Sequence, residues 1–91
     1  MLKLSETEIA VGIAALPEWH IEDGELTHTL VCKDFVAALA VVNRIGVLAE
    51  ASGHHPNIDI RYNRVRLALT THDAGGLTSK DFSLAAEIDG L

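Results

Sequence analysis

Apolar and polar residues alternate along this chain with two different periods, and the changes of period mark its elements. Ser5 and Glu8 stand in the S-x-x-E spacing of a capping box, where each side chain accepts from the other's free backbone N–H. Leu4 and Ile9 occupy the staple positions around it. Ile9, Ile13 and Leu16 recur at helical spacing, and Pro17 ends the run. The period then drops to two. Trp19-His20-Ile21 alternates and is followed by Glu22-Asp23-Gly24-Glu25. Asp-Gly between apolar segments predicts a hairpin, because both turn positions favour positive φ. The return strand places Leu26, His28, Leu30 and Cys32 on one face, and Thr27, Thr29 and Val31 on the other.

Asp34 is positioned to cap a long helix that runs to about Ser52. Phe35, Leu39, Val42, Gly46 and Ala49 form one stripe along it. Val36, Ala37, Ala40, Val41, Val47 and Leu48 make other sides apolar too, which predicts burial against both a core and a subunit interface. Gly53 suits the exit of this helix. Ile58, Ile60 and Tyr62 alternate with Asp59 and Arg61, and a tight turn is expected near Asn63. Val65, Leu67 and Leu69 then alternate with Arg66, Ala68 and Thr70, with His72 ending the strand and Gly75-Gly76 breaking it. Thr78 caps a last helix carrying Phe82, Ala85, Ala86 and Ile88. The order α-β-β-α-β-β-α predicts an α+β fold, an antiparallel sheet covered on one face by helices. Residues 1–91 read as a single domain, without repeats or a linker.

Composition narrows the function. Apolar residues make up 48% of the 91 and aromatics only 4%, so the core is mostly aliphatic. A domain of this size gains from oligomerisation. The formal net charge of -6 argues against a direct nucleic-acid or anionic-membrane binder. Arg61, Arg64 and Arg66 cluster at strand spacing and fit a solvated edge. Cys32 is alone and reads as a small hydrophobe. No basic leader and no long apolar span is evident, so a soluble cytoplasmic protein with no membrane partner is expected.

The candidate chemistry lies in three of the five histidines: His54 and His55, followed by Pro56, and His72. Histidine is the one side chain whose unperturbed pKa lies near neutrality, so these are candidates for one proton-transfer site. Two other readings compete. His54 and His55 suit the C-terminal end of the helix before them, and His72 suits a strand end. Zinc could take His54 or His55 with His72 and a carboxylate, but no H-x-x-x-H or C-x-x-C pair presets two ligands on one element. No metal is expected.

The stretch Glu50-Ala51-Ser52-Gly53-His54-His55-Pro56 is followed by Tyr62-Asn63-Arg64-Val65, Thr71-His72, Gly75-Gly76-Leu77-Thr78 and Asp81. In this spacing it resembles the pterin-4a-carbinolamine dehydratases, a family that in animals also serves as dimerisation cofactor of a homeodomain transcription factor. Trp19 and Lys33-Asp34-Phe35 match as well, so the resemblance spans nearly the whole chain. It implies a four-stranded antiparallel sheet with helices on one side, joined into homodimers edge to edge or homotetramers through the long helix.

The resemblance also implies an activity. The family dehydrates 4a-hydroxytetrahydrobiopterin, or a close analogue, to quinonoid dihydropterin and water during tetrahydrobiopterin recycling. The source of that substrate is an aromatic amino acid hydroxylase, and no cofactor is implied because the pterin is the substrate. By position, the catalytic set is His54, His55 and His72, with His54 and His72 as the acid–base pair, either of them the acid, and His55 positioning the pterin. Substrate-binding positions are Glu50, Gly53, Thr70, Thr71, Asp73 and Asp81. Thr78-x-x-Asp81 is also a capping-box spacing, and the two roles of Asp81 can coexist. Gly53, Ile58 and Lys80 depart from residues found in some relatives. The alternative is a non-catalytic dimerisation cofactor, or an assembly factor for a carbon-fixing enzyme, on the same fold.

Overall fold

The computed structural model describes residues 2–91. Helix α1 spans Glu6–Ala14, strands β1 and β2 span His20–Glu22 and Glu25–Val31, and helix α2 spans Phe35–Ser52. Strands β3 (Asn57–Arg61) and β4 (Arg64–Leu69) follow, then a 3-10 turn at His72–Ala74 and helix α3 at Ser79–Asp89. The strands form one antiparallel sheet in the order β1-β2-β4-β3. Two hairpins are thus joined through their second strands, and α2 connects them.

Local chemistry sets the boundaries. Ser5 and Glu8 make the full capping box of α1: Ser5 N donates to Glu8 Oε1 at 2.9 Å and Glu8 N donates to Ser5 Oγ at 3.2 Å. The Asp34 carboxylate accepts from Ala37 N at 2.8 Å and starts α2. Asp23 and Gly24 both take positive φ (52° and 78°), the geometry of a type I′ hairpin turn. At the second hairpin, Tyr62 is a turn residue at φ 53° rather than the strand residue its alternation predicts. A bulky side chain there is unusual. Only Tyr62 and Asn63 separate the paired Arg61 and Arg64, so the reversal is made in two residues, and a positive φ at the first is a favoured way to make it.

The core lies between the sheet and the helices. Leu26, Val65, Leu67 and Leu69 project from one sheet face and pack with Ala38, Ile45, Leu84, Ala85 and Ile88 of α2 and α3. Ile9 and Ile13 of α1 pack against this cluster. Trp19 is also interior, and its Nε1 donates to Asp89 Oδ1 at 2.9 Å. On α3, the inward positions are Asp81, Leu84, Ala85 and Ile88; Ala86 is exposed, contrary to the expected stripe. Where α1 meets α3, a Cβ on Gly12 would lie 2.6 Å from the Phe82 ring, so this approach needs glycine. The outer face is not wholly solvated: Thr27 and Ala68, paired across the central strands, are both buried.

Helix α2 corrects two expectations. Its buried positions are Ala38, Ile45 and Ala49, flanked by Val41, Val42 and Leu48, whereas Phe35 and Leu39 of the expected stripe are exposed. Periodicity cannot choose a face when every face is apolar, and small Ala38 is the residue that lets the helix approach the sheet. The helix is also long and apolar enough, by length and composition, to cross a membrane, with mean hydropathy 1.6. It is therefore a long apolar span, contrary to the sequence reading. Its packing here is against the sheet and α3.

Two surface carboxyls are perturbed. The Ser5 backbone N–H, and then its hydroxyl, hold Glu8 below the usual carboxylate range. The ring N–H of His20, then the Arg66 guanidinium at 3.0 Å, do the same for Glu22. Lowered carboxylate pKa values mean stabilisation that is present near neutrality and lost as pH falls through the carboxylate range. Glu22→Gln should therefore unfold at lower urea than the unmodified protein near neutral pH, and the two midpoints should converge once the pH has fallen below the carboxylate range. Removing the α2 cap by Asp34→Ala should cost about 1 kcal/mol, read from urea unfolding at neutral pH.

Candidate active site

The site forms where α2 and β4 both end, beside the start of α3. Gly53 leaves α2 in the left-handed conformation at φ 65°. Its N–H donates to Glu50 O at 3.3 Å and that of His54 to Ala49 O at 3.1 Å, the paired bonds of a Schellman termination. The chain then turns sharply, and the two histidines take different settings. The His54 side chain is only 12% exposed and reaches the Asp81 carboxylate, with Nε2 to Oδ1 at 2.5 Å. His55 stays outside and its Nε2 meets Glu50 Oε2, both groups being exposed. The backbone of His54 thus helps to cap the helix, while its side chain serves another purpose.

Strand β4 stops at Leu69, three residues short of His72, so His72 does not end the strand as its alternation predicts. Thr71 and Gly76 make an isolated bridge, and between them His72–Ala74 form the 3-10 turn, closed by Gly75 at φ 76°. The turn swings His72 out of the sheet. Its imidazole has no hydrogen-bond partner among the described residues and is free to meet a ligand.

Behind these groups lies a buried polar network. Asp81 is fully buried, as is Thr78, and Thr71 nearly so. Asp81 Oδ2 accepts from Thr78 N and from Thr71 Oγ1, each at 2.9 Å. Because Thr71 gives its proton to Asp81, it must accept from Thr78 Oγ1 at 2.8 Å, and Thr78 Oγ1 in turn accepts from Lys80 N at 3.3 Å. Asp81 is therefore both the third-residue carboxylate of the α3 capping box, opposite the Thr78 cap, and the partner of His54.

One pocket of about 300 Å³ gathers Gly53, His54, His55, Thr70, Thr71, His72, Asp73 and Lys80. All three candidate histidines line it. Two expected binding residues do not: Glu50 touches it only through His55, and Asp81 lies behind His54. Lys80 lines it and was not anticipated as a site residue. Its place two residues after the Thr78 cap, in the turn that carries Asp81, is the signal that could have found it. His20 and His28 lie elsewhere, His20 against Glu22 and His28 against Trp19 with ring centroids 5.1 Å apart. Among the described residues, no three His, Cys, Asp or Glu side chains are grouped so as to hold a metal ion.

A small α+β domain with three histidines around one pocket is the architecture of a dehydratase family. A family profile described as pterin 4 alpha carbinolamine dehydratase matches residues 2–91, and the chain belongs to that family. A protein of Chloroflexus aurantiacus named "Putative pterin-4-alpha-carbinolamine dehydratase" is 62% identical over 91 residues, covering 100% of this chain and 98% of that one. One of the same name from Acidobacterium capsulatum is 53% identical over 91 residues, covering 100% and 99%. A crystal structure described as a transcriptional coactivator/pterin dehydratase from Brucella melitensis superposes with TM-score 0.92 at 31% identity, over 97% of this chain and 96% of that one. A pterin dehydratase-like protein, described as a RuBisCO assembly factor in the alpha-carboxysome, shares the fold at TM-score 0.64 and 20% identity, over 79% and 83%.

The buried network makes a stability prediction. Thr71→Val removes a donor to Asp81 and leaves the Thr78 hydroxyl without its acceptor. It should cost about 1–3 kcal/mol in urea unfolding. Glu50→Gln, at an exposed pair, should stay within about 0.5 kcal/mol of the unmodified protein.

Proposed function

We propose that the protein dehydrates a 4a-hydroxytetrahydropterin, 4a-hydroxytetrahydrobiopterin or a close analogue, to the quinonoid dihydropterin and water. The observation that carries this reading is the convergence of His54, His55 and His72 on one pocket of ligand size. Membership of the dehydratase family supports it.

The reaction requires two proton transfers and no redox change. A base takes the proton from ring N5, and the N5 electron pair forms the C4a=N5 bond. The C4a–O bond breaks, and the departing hydroxyl takes a proton from an acid and leaves as water. The two groups return to their starting states by exchange with solvent. Histidines serve both roles near neutral pH, each positioned group contributing roughly 10²–10⁴ in rate. His54 and His72 are the acid–base pair in this reading. His55, held by Glu50, positions the pterin, with backbone groups of Thr70, Thr71 and Asp73 along the same wall. The reaction itself consumes no cofactor, because the pterin is the substrate, and an aromatic amino acid hydroxylase is the class of enzyme that supplies it.

The uncovered side of α2 favours a second, compatible property. Phe35, Val36, Leu39 and Val47 are exposed apolar residues on a single helix. We propose that a second copy of the chain covers them. Light scattering should then give a dimer or tetramer, and Val36→Asp combined with Val47→Asp should reduce its order. A purely non-catalytic binding role is the alternative.

The deciding assay follows dehydration of carbinolamine generated by a phenylalanine hydroxylase, through its ultraviolet absorbance. The unmodified protein should accelerate it. The variant carrying His54→Ala and His72→Ala should fold and lose that acceleration, and His55→Ala should raise KM more than it lowers kcat. Absence of acceleration by the folded unmodified protein would leave the binding role as the better reading.

A further inference from the structure

Asp81 does more than cap a helix. Its two carboxylate oxygens are divided between two tasks: Oδ2 is taken by Thr78 N and Thr71 Oγ1, and Oδ1 has His54 Nε2 as its hydrogen-bond partner. The direction of every proton in the network follows from this. A carboxylate only accepts, so Thr71 donates to Asp81, Thr78 donates to Thr71, and His54 donates through Nε2. A neutral imidazole carries one N–H. If that proton is on Nε2, the nitrogen left for a ligand is Nδ1, and it carries a lone pair.

Resting on the dehydratase reading above, we infer that Asp81 is a positioning residue that fixes the Nε2–H tautomer of His54, so that His54 acts through Nδ1 as the base that removes the pterin N5 proton. Three observations and one electrostatic effect support this division of labour. The carboxylate is fully buried and its other donors are the α3 cap and Thr71, so its position is rigid. The His54 ring is largely buried against it but still borders the pocket. A positive charge that develops on His54 as it takes the proton forms beside a fixed carboxylate, which stabilises it without reorganisation. His72, exposed on its 3-10 turn and without a protein hydrogen-bond partner, is left as the acid, able to recover its proton from solvent.

The variant that isolates this idea is Asp81→Asn. An asparagine oxygen can still accept from Thr78 N and Thr71, so the cap of α3 survives. Its amide then presents N–H to His54 Nε2, which must accept, and the proton moves to Nδ1. The ring keeps its place but presents the wrong nitrogen. Other charged or titratable groups facing this region, Lys80 of α3 and His55, His72 and Asp73 of the pocket wall, are unchanged in the variant.

Two measurements test it. Long-range nitrogen–proton correlation spectra of histidine-labelled protein, assigned with His54→Gln, report which ring nitrogen carries the proton. The unmodified protein should show neutral His54 as Nε2–H at the assay pH, and Asp81→Asn should show Nδ1–H. Dehydration by Asp81→Asn should fall about 10²-fold or more in kcat with KM nearly unchanged. Asp81→Glu, which keeps the charge but shifts the oxygen, should recover part of that loss if its melting temperature is close to that of Asp81→Asn. An Nδ1–H tautomer in the unmodified protein, a ring protonated on both nitrogens, or full kcat in a folded Asp81→Asn would overturn the inference. The dehydratase reading fails separately. If the unmodified protein has the Nε2–H tautomer but does not accelerate dehydration, the functional reading falls and Asp81 loses its catalytic purpose, while its pairing with His54 stands.

Discussion

A carboxylate placed in a protein interior without partners is among the most costly arrangements a fold can contain. Asp81 is fully buried here, and the structure around it is organised to prevent that cost. Its donors come from three places: the start of α3, the segment just after β4 and the segment just after α2. Those segments cannot drift apart without stripping the carboxylate of a donor. No buried side-chain nitrogen or oxygen among the described residues lacks a partner, so the requirement is met in full. The pocket is the opening left in front of this knot.

The same constraint explains why the site is built on element ends instead of element interiors. A helix exit and a strand exit supply residues whose backbone is already leaving regular geometry. Gly53 at positive φ makes the helix exit, and Gly75 at positive φ closes the turn that follows the strand exit. His54 and His72 therefore come to the pocket from two different elements, each on a short turn. The pocket opens to solvent at His55 and Lys80, both exposed.

What could be read from the sequence was the chemistry that is local. Ser5 with Glu8, Asp34, the Asp23-Gly24 turn and Thr78 with Asp81 each specify a structure within four residues, and each appears as expected. The histidines were legible as a group, because the family spacing is specific. The inward face of α2 was not, since an all-round apolar helix offers no contrast and only the sheet decides which side it meets. Tyr62 alternates like a strand residue, but chain reversal overrides that pattern. The double use of Asp81 was half legible: the cap is a matter of spacing, whereas the contact with His54 bridges 27 residues and exists only in the folded chain.

The sheet order carries a consequence for how such a chain comes into being. Each hairpin closes over a tight turn, whereas the central pairing of β2 with β4 brings Leu26 to Leu69 across the whole of α2. Distant pairings of this kind are the slow ones, because loop closure must precede any gain from contact. A ribosome delivers α2 before the strand that shields it. For that interval the nascent chain carries an 18-residue apolar helix with only α1 and the first hairpin to lean on. An apolar helix is thus exposed before its cover is made, and its protection waits on the same late closure that assembles the pocket.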